Sequence, residues 1–181
     1  MKNKHTRFVK ILTQSIVVLL FLGYLYLLTE LLLFGFRTPM GEQSRITYEE
    51  YFKNKVNVTP LETIKLYLNH PGYTSTVNIL GNIFVFFPMG LFYGYFFKRS
   101  NNVILSTVIF AFASLVFESL QMLFLVGSFD VDDILLNTLG GIVGFLLILI
   151  LKGIQYLSKR KTHRTSTRKS GKRHIQRDYA K

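Results

Sequence analysis

Four stretches of this sequence are each long and apolar enough to cross a lipid bilayer, and no other feature constrains its folding so strongly. A hydrocarbon core of roughly 30 Å takes about 20 helical residues. The windows at residues 11–36, 77–97, 103–126 and 134–157 all reach that length. Backbone groups find no water inside a bilayer, so a spanning segment must satisfy them internally, as a helix does. The expectation is therefore all-α: a polytopic, four-transmembrane-helix bundle over residues 11–157. A basic N-terminus at 1–10 and a basic tail at 158–181 flank it.

Basic residues precede the first window, as they would in a signal peptide. The window runs beyond the ~7–15-residue apolar core of a cleaved signal, and no A-x-A-like site follows it, so it reads as a retained helix. The chain has no cysteine, which excludes disulfides, thiolate metal sites and a cysteine nucleophile.

Charge orients the spans. Seventeen of the 22 Lys and Arg residues fall in 1–10, at Lys98 and Arg99, or from Lys152 onward. Five fall in the 37–76 loop, where four Glu offset them, and none in the 127–133 loop. The positive-inside rule then predicts a multi-pass protein of the plasma membrane with both termini in the cytoplasm and the 37–76 and 127–133 loops outside. A net charge of +12 needs no nucleic-acid partner under that topology. The tail, almost without apolar residues, is expected to be disordered and to meet anionic inner-leaflet lipid.

The first outer loop carries two helix-start patterns. Thr47 and Glu50 form a capping box, in which each side chain serves the other's backbone amide. Thr59, Pro60 and Glu62 repeat the pattern, with Pro at the first helical position. Beyond them Leu61, Ile64 and Leu68 share one face, and the sequence HPG at 70–72 ends the element. A short amphipathic helix on the outer leaflet fits, as does a helix packed in a small soluble cap.

Ionisable and amide side chains within spans are expensive and mark candidate functional positions. Here they all fall toward the outer end. Asn78 and Asn82 are four apart in the second span, and Glu118 and Gln121 are three apart in the third. Asp130, Asp133 and Asn137 share a face if the fourth helix begins near the aspartates. Each has a plainer reading. Asn78, Asn82 and Gln121 would serve equally as interhelical hydrogen-bond glue, and Asp130 and Asp132 as loop or helix-cap residues. Glu30 reads as a boundary residue. Glu118, about two turns inside an apolar run, is hardest to explain as structure alone. Gly140 and Gly144 in the fourth span, and Gly81, Gly90 and Gly94 in the second, predict close helix approach. Pro88 predicts a kink that frees the Phe84 carbonyl.

The segments NVTPLETI (57–64), NILGNIFVFFPMG (78–90), ESLQ (118–121) and DVDDILLNTLGG (130–141), in that order, resemble the VanZ-like family. Leu61 stands where Phe is common, and Gly127 where many members carry Arg. The resemblance covers about residues 45–150. It implies a small multi-span membrane protein, in a family whose founding member is associated with resistance to the glycopeptide teicoplanin in Gram-positive bacteria. It points to Asn78, Asn82, Pro88, Glu118, Gln121, Asp130, Asp133 and Asn137.

Two functions follow as expectations. In the first, Asn78, Asn82, Glu118, Gln121, Asp130, Asp133 and Asn137 line an acidic outer-leaflet pocket. That pocket binds a lipid-linked cell-wall intermediate, a glycopeptide or another amphiphile, and so alters antibiotic susceptibility. The alternative is a membrane-surface hydrolase or transferase. Glu118 and Asp133, with Asp130, would then act as acid and base or hold a divalent cation such as Mg2+ or Ca2+. No Ser-His pairing supports the enzyme, since His70 is the one His outside the basic ends. A transporter fits poorly, because the cytoplasmic halves of the spans are nearly all apolar.

Overall fold

The structure is a computed structural model that describes residues 2–34, 47–97 and 102–178, with side chains from 4 to 160. Lys98, Arg99 and every charge of residues 37–46 lie outside the described residues. Helix α1 spans Lys2–Thr29 and passes into a π-helical turn, Glu30–Phe34. Two short helices follow, α2 (Tyr48–Asn54) and α3 (Glu62–Asn69), then three long ones. These are α4 (Tyr73–Phe96), α5 (Val103–Leu123) and α6 (Val131–Asp178). Helices α1, α4, α5 and α6 are the four spans, and the protein is an all-α membrane protein. A single two-stranded parallel bridge joins β1 (Val56–Asn57) to β2 (Phe129–Asp130), with Asn57 opposite Asp130.

The burial pattern is that of a bundle in lipid. Leu19, Ile104, Phe112 and Ile150 are exposed, whereas Ser106, Ser114, Gln121 and Asn137 are buried. Hydrocarbon tails are as apolar as Leu, so packing and polar contacts hold such helices together rather than apolar burial. The largest interface joins α4 to α6. Glycine explains its closeness. A Cβ on Gly90 would overlap the Gly141 carbonyl, and one on Gly140 or Gly144 would overlap the Ile83 or Phe87 carbonyl. On Gly141 it would press to 2.7 Å of the Phe110 ring. Gly81 is different, because a Cβ there would meet nothing within 4 Å, so it plays no part in close approach.

Two apolar clusters flank this seam. Tyr93, Phe110 and Phe145 meet edge to face, with centroids 5.5 and 5.4 Å apart around Tyr93, near the spacing such pairs favour. Leu28 of α1 and Leu32 of the π-helical turn pack on Phe86 of α4, with Phe117 of α5 against them. Helix α4 continues unbroken through Pro88. The Tyr24 hydroxyl donates to the Val85 carbonyl at 2.9 Å, one residue beyond the carbonyl that Pro88 leaves without its usual donor.

Two expectations about the loop need correction. The Thr47 capping box forms, with Glu50 N–H donating to Thr47 Oγ1 at 3.3 Å and Thr47 N–H to Glu50 Oε2 at 3.0 Å. The second box does not. Helix α3 starts at Glu62, its N-cap is Leu61 at φ 66°, and no local side chain caps it. Its inward residues are Thr63, Ile64 and Tyr67, while Leu61 and Leu68 are exposed. The α6 backbone is helical to Asp178. Extending an existing helix avoids the cost of nucleating a new one.

Candidate functional site

The two loops meet at one end of the bundle, and two aspartates fasten them. Asp132 is fully buried. Its Oδ1 accepts from Leu61 N–H at 2.6 Å and its Oδ2 from Ile64 N–H at 3.0 Å. Those amides are among the unpaired donors of the α3 N-terminus, where a carboxylate is favoured by both hydrogen bonding and the helix dipole. Asp132 thus caps α3 from a distant part of the chain. Leu61 is held in the left-handed region, which an L side chain adopts only at a cost.

Asp130 ties the same loop a second time. Its Oδ2 accepts from Thr63 Oγ1 at 2.5 Å, and its Oδ1 from Asn57 Nδ2 at 3.1 Å and Asp132 N–H at 2.8 Å. Asn57 also donates to Thr63 Oγ1 and accepts from Thr59 N–H, both at 2.9 Å. All four oxygens of the two aspartates accept hydrogen bonds from protein donors. Their work here is to hold the 56–64 segment over the bundle.

A polar layer lies directly beneath. Helix α6 begins at Val131, so Asp130 precedes it and does not share a helical face with Asp133 and Asn137, as expected from spacing. Asp130 turns toward the loop. Asp133 accepts from Asn82 Nδ2 of α4 in a short hydrogen bond. Asn137 donates to Ser114 Oγ of α5 at 2.9 Å. Glu118, 3% exposed, accepts from Asp130 N–H at 3.2 Å through Oε2. Gln121 donates to the Leu32 carbonyl at 2.8 Å, in the π-helical turn that ends α1. Together these contacts link all four spans within about two turns of α5.

Asn78 stands apart. Its Nδ2 donates to the Tyr67 hydroxyl of α3 at 3.1 Å, linking the loop helix to α4. Of the seven expected binding residues, Asn82, Glu118, Gln121, Asp133 and Asn137 belong to the layer between spans. Asn78 and Asp130 belong to the loop attachment. Sequence reasoning passed over Asn57, Thr63 and Ser114. Asn57 and Thr63 lie within the NVTPLETI segment, and Ser114 lies four residues before Glu118 on the same α5 face.

The layer is rich in acceptors. Gln121 Oε1 and Asn137 Oδ1 are buried with no hydrogen-bond partner among the described residues, a condition that is rare in native interiors. Among the described residues, no three His, Cys, Asp or Glu side chains stand in a metal-holding group. The acceptor set offers two carboxylates and two amide oxygens, one of each on α5 and on α6.

The profile of the VanZ/LLP1 family matches residues 21–152, most of the chain and all of this layer. The chain belongs to that family. It is also similar to Protein VanZ of Enterococcus faecium, 29% identical over 144 residues, which cover 76% of this chain and 74% of that protein. No solved structure matches it. The region of the VanZ/LLP1 match runs from the middle of α1 through the apolar part of α6, so every residue of the loop attachment and the polar layer falls within it.

Proposed function

We propose that this VanZ/LLP1 protein binds an amphiphilic envelope ligand at its loop end and thereby alters susceptibility to teicoplanin-type glycopeptides. The observation that carries the reading is the buried Glu118 carboxylate, in a layer that joins all four spans beneath the fastened loop. A carboxylate kept at such a depth is expensive. One bond to Asp130 N–H is a small return on that cost, which supports a ligand role for Glu118.

The asymmetry of Lys and Arg supports termini in the cytoplasm and a loop end on the outer face of the plasma membrane. An amphiphile there keeps its tail in lipid while its polar part reaches Asn82 and Asp133, which are only partly buried. The test is purification in lipid nanodiscs, with mass spectrometry of what accompanies the wild type and Glu118→Ala. A species enriched with wild type and lost from the variant is the expected result. Identical lipid and ligand profiles would refute the binding function. In the alternative, a membrane-surface enzyme with Glu118 and Asp133 as acid and base, Asp130 would serve the loop instead, through Asn57 and Thr63.

A further inference from the structure

We propose that the ligand of this layer presents N–H donors, as a primary ammonium group carried on an amphiphile. The inference rests on the binding function above and adds the chemistry of the group recognised. The three amides of the layer all direct an N–H to protein: Asn82 to Asp133, Gln121 to Leu32 and Asn137 to Ser114. Each amide nitrogen carries a second N–H besides, but only the oxygens of two of them have no partner among the described residues. Gln121 Oε1 and Asn137 Oδ1 are unpartnered, on residues 0% and 1% exposed. Gln121 follows Glu118 by three residues and Asn137 follows Asp133 by four, so each orphan oxygen shares a helical face with a carboxylate.

Two amide oxygens and two carboxylates attract a positive charge, and oxygen acceptors in a buried setting reward hydrogen-bond donors most. A primary ammonium supplies both, with three N–H groups on one compact cation. A quaternary ammonium supplies the charge alone. An anionic group would be repelled by the two carboxylates. Asp133 is partly exposed at the loop end, where a head group or an amine on a lipophilic drug would enter from the interface.

The test titrates the full-length protein, in a neutral maltoside detergent, with dodecylammonium and separately with dodecyltrimethylammonium. Thermal unfolding is followed by far-ultraviolet circular dichroism. Both probes carry one charge and the same tail, and only the first has N–H donors. Dodecylammonium is expected to raise the midpoint saturably, with an affinity about tenfold or more above that of the trimethyl probe. Gln121→Met and Asn137→Leu should each shrink that preference. Equal responses to the two probes, or no response to either, overturn the proposal, as does saturable stabilisation by Ca2+ that displaces dodecylammonium. The comparison on the wild type needs no variant to fold. The binding function fails separately: a donor-free or anionic species that accompanies wild type but not Glu118→Ala would uphold it and contradict this inference.

Discussion

Asp132 caps the N-terminus of α3 across 71 residues of sequence, its Oδ1 accepting from Leu61 N–H at 2.6 Å. Ile64 N–H completes the pair at 3.0 Å. A helix of eight residues is too short to be stable alone in water. Its order therefore depends on this contact and on the Asp130 network beside it.

Asp132→Ala should release α3 without dismantling the spans. Two charge-assisted hydrogen bonds are lost, each worth ~1.5–3 kcal/mol, and the amides of Leu61 and Ile64 lose their partner. Hydrogen exchange at residues 61–69 should accelerate while α4 and α6 keep their protection. Unchanged exchange in α3 would show that the cap is dispensable.

Thr63 and Asp130 should behave as a coupled pair. Thr63→Val removes the hydroxyl that donates to Asp130 Oδ2 at 2.5 Å, and Asp130→Asn removes the charge. A double-mutant cycle by thermal unfolding should give a coupling of about 1 kcal/mol or more, as expected of groups in one network. Additive effects would mean that the contact does not contribute.

The α4–α6 seam makes a sharp comparison between glycines. Gly140→Ala would drive a methyl into the Ile83 carbonyl and should cost about 1–3 kcal/mol, the usual range for overpacking. Gly81→Ala has open space and should be neutral or stabilise by up to ~1 kcal/mol, from helix propensity. Midpoints measured in one detergent decide it, and equal losses at both sites would contradict the close-packing role of Gly140.

Orientation is testable because the chain has no Cys. A single cysteine at Ser128 should react with an impermeant maleimide added to intact cells, and one at Ser158 only after lysis. The reverse pattern would put the loop end in the cytoplasm and remove the outer-leaflet ligand from consideration.

Much of the fold is legible in the chain because bilayer thickness leaves few solutions for four apolar stretches. The Thr47 box was legible for a similar reason: its partners are three residues apart, so local chemistry decides it. The Thr59 pattern looked the same and failed. A carboxylate from 71 residues away competes for the α3 amides, and no local pattern announces that. Spacing put Asp130 on the α6 face, yet the helix starts one residue later and Asp130 turns to Thr63 and Asn57 instead. Glu118, Gln121 and Asn137 were legible as costly residues in spans. Their partners were not, since a lone amide does not reveal which neighbouring helix its N–H will meet.

The central claim is that the Glu118 layer holds the ligand through which the protein acts. Teicoplanin susceptibility of a Gram-positive host, expressing wild type or Glu118→Ala at equal membrane levels, tests it most directly. Wild type is predicted to lower susceptibility, and Glu118→Ala to return it to that of cells without the protein. Resistance retained in full by Glu118→Ala would contradict the claim.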